Sequence, residues 1–210
     1  MRIAVIGASG RSGQATVTRA LAAGHEVVAV VRNPASAPTG AISRTADARD
    51  EAALAVAIEG ADAVVSCLGH AREPHPSPDA TVLHDGIVAL IAAAEAAGVS
   101  RLVAVSAAGA YVEGDDPLSR FIAKPIVARF FGAAFADTRA MENTIRASKT
   151  QWTILRPSRL IPGAGLEAYR SGVDRAVRWH YSTTFDTVGH AAIDSLNSDA
   201  WVGHAVFITE

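Results

Sequence analysis

The feature that most constrains this chain is a glycine-rich turn near its N-terminus, Gly7-Ala8-Ser9-Gly10-Arg11-Ser12-Gly13. It follows a short apolar run, Ile3 to Ile6, and leads into a segment of helical period that begins near Gln14. Glycines permit a tight turn and a close approach of backbone to pyrophosphate, while the start of a helix favours negative charge. This combination predicts a dinucleotide-binding loop. Its contacts are expected from Gly7, Ser9, Gly10, Arg11, Ser12 and Gly13.

Short runs rich in Val and Ile alternate with longer segments of helical period along the chain. These runs are Ile3 to Ile6, Val27 to Val31, Ala63 to Cys67, Leu102 to Val105 and Thr153 to Leu155. Continuous hydrophobicity is typical of parallel strands that helices cover on both faces. The pattern predicts an α/β fold, a Rossmann-type doubly wound parallel sheet with helices on both faces. A final helix over 187–196 and an edge strand over 205–209 are expected to close the sheet.

The length of 210 residues, half of them apolar, predicts one domain over 1–210. Two stretches interrupt the alternation of strand and helix. The segment from His70 to Pro78 is rich in proline and is expected to be a loop at the cleft wall. The segment 160–185 contains Pro162 and several glycines and aromatics, and is expected to form a small lobe that selects the substrate.

Composition argues against several classes of partner. The formal net charge is -2, without a run of Lys and Arg interleaved with aromatics, which argues against nucleic acid. The apolar stretches are shorter than the roughly 18 residues of a membrane span, and a strand pattern starts at once, so we expect a cytoplasmic protein. The single cysteine, Cys67, excludes an internal disulfide. A small-molecule substrate and a monomer or homodimer are expected.

Two arginines point to the phosphorylated dinucleotide, NADP(H). The second apolar run ends in Arg32, where an NAD-specific protein usually places an acidic residue for the ribose hydroxyls, and an arginine suits a 2′-phosphate. Arg11 could reach the same phosphate from the other side through its guanidinium fork. Both arginines could instead be solvated surface charges. Asp47 could accept a hydrogen bond from the adenine amine or cap the helix that begins near Asp50.

The fourth apolar run ends in Cys67-Leu68-Gly69, where the backbone is expected to approach the cofactor ribose. Cys67 is interpreted as a small buried residue and not as a nucleophile, since no nearby basic residue would lower its pKa. His70, His75 and His84 form no metal-binding spacing, so no metal site is expected. The chain also lacks the G-x-S-x-G elbow of serine hydrolases.

Taken together, these motifs resemble the atypical short-chain dehydrogenase/reductases, in particular the NAD(P)H-binding group with biliverdin reductase B, flavin reductases and NmrA-like proteins. The resemblance covers almost the whole chain. It is carried by the glycine loop, Val31-Arg32-Asn33, Ala46-Asp47, Ser66-Cys67-Leu68-Gly69, Val105-Ser106-Ala107-Ala108-Gly109 and Leu155-Arg156-Pro157. It implies NADP(H) as cofactor, a substrate near Ser106, and a nicotinamide pocket lined by Pro157 and Ser158.

The chain departs from this family at the Tyr-x-x-x-Lys pair that normally supplies and activates the proton donor. When Glu142 is aligned with the family's acidic residue, Ala134 stands at the tyrosine position and Thr138 at the lysine position. Neither side chain can perform that role, so the proton must come from elsewhere.

Three residues remain as catalytic candidates. Ser106, at a strand end, could bind a substrate carbonyl or the nicotinamide amide, or could merely satisfy local backbone. Tyr111 could donate a proton, but without a neighbouring lysine its pKa is expected to stay near 10. His70 could act as an acid at the cleft mouth or be an exposed loop histidine. Arg156 is expected to point to a helix or a carboxylate.

Two functions remain open. The first is an NADPH-dependent reductase that transfers hydride to an electron-poor substrate such as a quinone, flavin, tetrapyrrole or ketone. The second is a regulator of NmrA type that binds NADP(H) to report redox state without turnover, which the missing Tyr-Lys pair favours. An epimerase or dehydratase fits less well, because those reactions depend more on the missing residues.

Overall fold

The structure, a computed structural model, describes residues 1–70, 81–111, 117, 121, 124–165 and 168–210, with backbone alone for 124–130. The proline-rich part of the expected cleft-wall loop, with His75, lies outside the described residues.

Strands and helices alternate as the apolar runs predict. The strands are β1 (Arg2–Ile6), β2 (Glu26–Val31), β3 (Ile42–Thr45), β4 (Ala63–Ser66), β5 (Arg101–Val105), β6 (Gln151–Pro157), β7 (Arg159–Ile161), β8 (Arg170–Val173), β9 (Ser182–Thr184) and β10 (His204–Thr209). The α-helices are α1 (Arg11–Ala22), α2 (Glu51–Ala57), α3 (Val82–Ala96), α4 (Lys124–Ala147) and α5 (Phe185–Leu196).

An eight-stranded sheet runs in the order β3-β2-β1-β4-β5-β6-β10-β8. Its strands pair in parallel except β8, which pairs antiparallel with β10. The predicted Rossmann-type sheet is confirmed. The prediction that the last strand forms the edge is wrong, because Arg170–Val173 pairs with β10 on the side away from β6.

Helices cover both faces of the sheet, and the alternating side chains of each strand divide the core into two clusters. Ile3 and Val5 of β1 pack with residues of α1 and α5. Ala4 and Ile6 of the same strand pack with residues of α2, α3 and α4. A Cβ at Gly189 of α5 would lie 2.7 Å from the backbone of Ala15, so this glycine permits close packing of α5 on α1.

A small element follows β6 in the segment expected to form a lobe. β7 and β9 pair in a separate two-stranded sheet, and the Ser158 N–H donates to Ile208 O and to Thr183 Oγ1, both at 3.1 Å. Trp179, which precedes β9, is 63% exposed. That the element selects substrate stays a prediction.

Within the described part of the chain, none of the helices combines the length and the apolar character needed to cross a bilayer. The same residues contain no cluster of three or more His, Cys, Asp or Glu side chains suited to a metal ion.

Candidate functional site

The candidate site lies where the strand order reverses, at the carboxyl ends of β1 and β4. In doubly wound sheets, ligands bind in the crevice at this point. Gly7 turns the chain there with a φ of 74°, and a Cβ on it would lie 3.0 Å from the carbonyl oxygen of Cys67 at the end of β4. A side chain at position 7 would therefore strain the backbone, because φ is positive there, and would also crowd the end of β4.

The glycine loop leads directly into α1 and leaves the start of that helix open. A Cβ on Gly13 would lie 2.2 Å from the carbonyl oxygen of Gly7, so only glycine fits there. Gly10 is the N-cap residue, and among the described residues no side chain caps the helix and no acidic residue occupies its first turn. Backbone N–H groups without a cap form a ready anion site. The loop thus fits a dinucleotide pyrophosphate, with Ser9 and Ser12 in the same turn.

Arg32 after β2 and Asp47 after β3 are exposed, as expected for an adenosine end. Arg32 follows β2 as an exposed cation. Asp47 Oδ1 accepts the Arg49 N–H at 2.9 Å, and this hydrogen bond, opposed by partial burial, lowers the pKa of Asp47. Asp50 caps α2 by accepting the Ala53 N–H at 3.0 Å, so the alternative that Asp47 caps this helix is wrong.

Arg11 lies on the opposite side of the glycine loop from Arg32. Its guanidinium stacks over the Phe185 ring, 4.1 Å from the centroid. Phe185 begins α5, which packs against α1 and contacts β5 and β6, whereas Arg32 follows β2 on the far side of β1.

The turn after β4 separates a buried residue from an exposed one. Cys67 is buried with its Sγ 3.5 Å from Thr16 Oγ1, and burial raises the pKa of the thiol to about 11. This confirms that Cys67 is a packing residue. Leu68 contacts Gly86 of α3, while Gly69 is exposed, and a Cβ on it would meet nothing within 4 Å. The fold itself therefore leaves space at position 69.

Ser106 is bound to a buried carboxylate and not to local backbone. Its hydroxyl donates to Glu142 Oε1 at 2.5 Å, and Glu142 is fully buried. Arg156 donates to both oxygens of Glu142, from Nε at 3.0 Å and Nη2 at 2.7 Å, and Arg146 donates to Oε2 at 2.7 Å. Burial acts to raise the pKa of Glu142, but the bonds and charge of Arg156, with Ser106 and Arg146, outweigh it and lower the pKa. The expectation that Arg156 points to a carboxylate is confirmed.

Tyr111 belongs to the same cluster. Its ring lies over the Arg156 guanidinium, 3.3 Å from the centroid. Burial, followed by the negative charge of Glu142, raises the pKa of Tyr111 well above its ordinary value. The expectation of a pKa near 10 is therefore wrong, and the phenol is a weaker acid than expected.

His70 is bound to a second buried carboxylate of α4, so the interpretation as an exposed loop histidine is wrong. Its Nε2 lies 2.9 Å from Asp137 Oδ2, and the His70 side chain is 22% exposed. Asp137 also accepts the N–H groups of Leu83 and His84 at 3.0 Å each, which caps α3. The interaction with Asp137 thus fixes the His70 ring and leaves Nδ1 as the nitrogen that Asp137 does not hold.

The positions of the missing Tyr-Lys pair carry no acid or base. Thr138 is buried, and its hydroxyl donates to Ala134 O at 2.8 Å within α4. At the end of β6, Pro157 is buried and Ser158 is partly exposed.

The sequence alone did not identify Asp137 as a site residue, nor did it predict the hydrogen bonds of Glu142. Their spacing beside the buried Met141 and Ile145 was the available signal, because it places both carboxylates on the core face of α4.

Residues 7–199 match the model of the NAD(P)H-binding family. This chain belongs to that family. Among curated relatives of this NAD(P)H-binding protein, Bacillus subtilis YwnB is 28% identical over 182 residues, which cover 84% of this chain and 82% of YwnB. Mycobacterium tuberculosis Rv2047c is 45% identical over 83 residues, which cover 39% of this chain. The matched segment spans only 10% of the Mycobacterium tuberculosis protein.

Solved structures share the fold of this NAD(P)H-binding protein. A short-chain dehydrogenase/reductase from Veillonella parvula, solved in complex with NADP, superimposes with a TM-score of 0.83 at 16% identity and covers 100% of this chain and 94% of its own. The predicted resemblance to an NAD(P)H-binding family is thereby confirmed, and the Veillonella parvula structure shares the Rossmann-type fold. The cytoplasmic location expected from the sequence stays a prediction.

Proposed function

We propose that this NAD(P)H-binding protein is an NADPH-dependent reductase that transfers hydride to a small electron-poor substrate, such as a quinone, flavin, tetrapyrrole or ketone. The observation that carries the proposal is the open N-terminus of α1 at the switch point, with the exposed Arg32 beside it. When bound, the cofactor supplies the hydride, and the chain orients the substrate and excludes water.

The cofactor residues divide by chemistry. The backbone of the glycine loop would hold the pyrophosphate, flanked by Ser9 and Ser12. Arg32 would bind the 2′-phosphate, and Asp47 would accept the adenine amine. The Veillonella parvula relative, solved with NADP, supports the phosphorylated cofactor. The remaining contacts are proposed from the ends of β4, β5 and β6: Cys67, Leu68, Gly69, Ser106, Pro157 and Ser158.

His70 is the proton donor in this proposal. Because Asp137 engages Nε2, the Nδ1–H of the charged imidazole can leave as a proton while Nε2 keeps its hydrogen. A carbonyl or quinone substrate then gains hydride at one atom and the proton at its oxygen, and His70 becomes neutral. Tyr111 suits this role less well, since its raised pKa makes it a weak acid.

The second candidate function is the NADP(H)-binding regulator of NmrA type. It is favoured by Ala134 and by the Thr138 hydroxyl, which is committed to the backbone of α4. The two functions differ in whether NADPH is consumed.

The deciding experiment mixes the purified chain and NADPH with a panel of quinones, flavins and carbonyls. We expect the absorbance of the reduced nicotinamide to fall. His70→Gln should lower the rate by roughly 100-fold, because the proposed proton donor is lost. His25→Gln, a change far from the cleft, serves as the matched control. Tight NADPH binding without oxidation across the panel would favour the regulator.

Cofactor selectivity is tested separately. Arg32→Glu should weaken NADPH binding by roughly 10-fold or more and leave NADH binding nearly unchanged, because the charge-assisted bonds to the 2′-phosphate are lost. Arg170→Glu makes the same charge change on the exposed edge strand β8 and should alter neither affinity. Equal losses for both cofactors would contradict the 2′-phosphate assignment.

A further inference from the structure

We propose that Glu142 fixes Ser106 as a hydrogen-bond acceptor toward the cleft, so that the site selects a ligand group that presents an N–H or O–H there and disfavours a bare carbonyl. This inference rests on the proposed function for its cofactor and its cleft. It reverses the expectation that the Ser106 hydroxyl donates to a substrate carbonyl.

The donors around Glu142 include a serine hydroxyl and two arginines. Four hydrogen bonds to its two oxygens come from Ser106 and the two arginines: the Ser106 hydroxyl and Arg156 Nε donate to Oε1, and Arg156 Nη2 and Arg146 Nη1 donate to Oε2. Arginine nitrogens can only donate, so both carboxyl oxygens act as acceptors, and the positive charges of Arg156 and Arg146 favour the ionised form. The carboxyl group is consequently ionised, and the Ser106 hydroxyl must be the donor in the fourth bond.

A hydroxyl has one proton and two acceptor lone pairs. At 2.5 Å, the bond from Ser106 to Glu142 has the short length of a charge-assisted O–H···O⁻ bond, which is about twice as strong as a neutral one. A ligand carbonyl would compete with a buried carboxylate for that single proton and lose. A ligand N–H or O–H meets no such competition.

The acceptor lone pairs of Ser106 remain available. Ser106 is partly exposed at the end of β5, and no donor from the described part of the chain reaches its Oγ. Glu142 is fully buried behind it, so a ligand in the cleft contacts the serine and not the carboxylate. Glu142 therefore acts as a positioning residue that sets the polarity of Ser106.

Two ligands could supply the donor: the carboxamide N–H of the nicotinamide, or an N–H or O–H of the substrate. For the first, NADP⁺ is compared with its 3-acetylpyridine analogue, in which a methyl group replaces the amide nitrogen. For the second, benzamide is compared with acetophenone, a nearly isosteric pair, on the protein saturated with NADP⁺. Dissociation constants are measured by calorimetry for the cofactors and by ligand-observed NMR for the small probes.

The test variant is Ser106→Ala, with Ser43→Ala on the exposed strand β3 as the matched control and Ser106→Thr as the variant that restores a hydroxyl. If the donor is the cofactor amide, Ser106→Ala weakens NADP⁺ by about 5-fold and leaves the analogue unchanged. If it is the substrate, both cofactors bind as before and benzamide alone weakens by about 5-fold. Thermal unfolding and circular dichroism verify that each variant is folded.

Glu142→Gln extends the test, since its amide nitrogen can donate to Ser106 and release the hydroxyl proton. In the folded variant, the binding preference of the site should shift from NADP⁺ toward its acetyl analogue, or from benzamide toward acetophenone. The proposal is overturned if Ser106→Ala weakens each member of a pair equally, weakens none of the four ligands, or weakens the carbonyl probe more. Failure of the wild-type chain to bind NADP⁺ would instead overturn the proposed function, and this inference with it.

Discussion

The half of the cleft built on the glycine loop presents backbone, whereas the half built on β5, β6 and α4 presents side chains already bonded to one another. We call the first the loop half (residues 7–10, 12 and 13 with Arg32) and the second the carboxylate half (Ser106, Tyr111, Glu142, Arg146 and Arg156). In the loop half the start of α1 is uncapped and Arg32 is exposed. In the carboxylate half, the fully buried Glu142 accepts hydrogen bonds from Ser106, Arg146 and Arg156.

This difference indicates that one half of the cleft provides affinity for the ligand, whereas the other half holds side chains in a fixed orientation. The loop half has unsatisfied donors that a ligand anion would complete, so its affinity is expected to come from the ligand. The carboxylate half is complete without a ligand, and its bonds hold each side chain in one geometry. A change in the loop half should therefore alter affinity first, and a change in the carboxylate half should alter stability first.

The largest effect is expected from Glu142→Ala. Removing the carboxylate leaves the guanidinium of Arg156 buried without its partner, which costs about 3–5 kcal/mol of unfolding free energy. Urea denaturation measures the loss. Glu95→Ala, an exposed glutamate on α3, is the matched control and should change stability little. A loss no greater than that of the control would show that the carboxylate half does not stabilise the fold.

Gly13→Ala tests the loop half. The added Cβ would lie 2.2 Å from the carbonyl oxygen of Gly7, so the loop or α1 must move, at a cost of about 1–3 kcal/mol. We expect NADPH affinity, measured by titration calorimetry, to fall by a larger factor than for any change in the carboxylate half. Gly132→Ala on α4 is the control, because its Cβ would meet nothing within 4 Å. Unchanged NADPH affinity in Gly13→Ala would show that the tight packing of Gly13 against Gly7 does not contribute to cofactor binding.

The pH dependence of stability should report Glu142. Its pKa is lowered in the folded chain from an ordinary value of 4.5, so its contribution is complete above that pH and is lost as pH falls through the folded pKa. One such group changes unfolding free energy by at most about 1.4 kcal/mol per pH unit. The denaturation midpoint of the wild-type chain should fall more steeply below pH 4.5 than that of Glu142→Gln. Parallel curves would indicate that Glu142 titrates alike in both states.

The two halves also differ in how far the sequence predicts them. The glycine loop is local: strand, glycines and helix follow one another over residues 2–22, so spacing alone indicates the turn. The carboxylate half joins Ser106 to a glutamate 36 residues away and that glutamate to an arginine 14 residues away. Such pairings depend on which helix face meets which strand end, and periodicity predicts the face without the partner.

The sheet shows the same limit. Its buried strands are continuous apolar runs, and the sequence predicts β1, β2, β4 and β5 close to their observed bounds and the middle of β6. β8 has the sequence Arg-Ser-Gly-Val and is mostly exposed, so it has no apolar pattern to find. Its antiparallel pairing with β10 is what moves the last strand away from the edge. Short exposed strands form because a neighbour offers hydrogen bonds, which local sequence does not encode.

Arg11 lies between the two halves, and its replacement should give the smallest effect. Sequence pairs it with Arg32 at the 2′-phosphate, but the structure stacks it on Phe185 at the start of α5. A cation–π contact of this kind is worth about 0.5–1 kcal/mol at an exposed site. We expect Arg11→Ala to weaken NADPH and NADH by a similar factor, because an arginine held toward α5 acts on a part that both cofactors share. Phe185→Leu, which releases the guanidinium, should then raise the ratio of NADPH to NADH affinity if Arg11 can reach the 2′-phosphate. A selective loss of NADPH affinity in Arg11→Ala, matching that of Arg32→Glu, would instead indicate that Arg11 binds the 2′-phosphate together with Arg32.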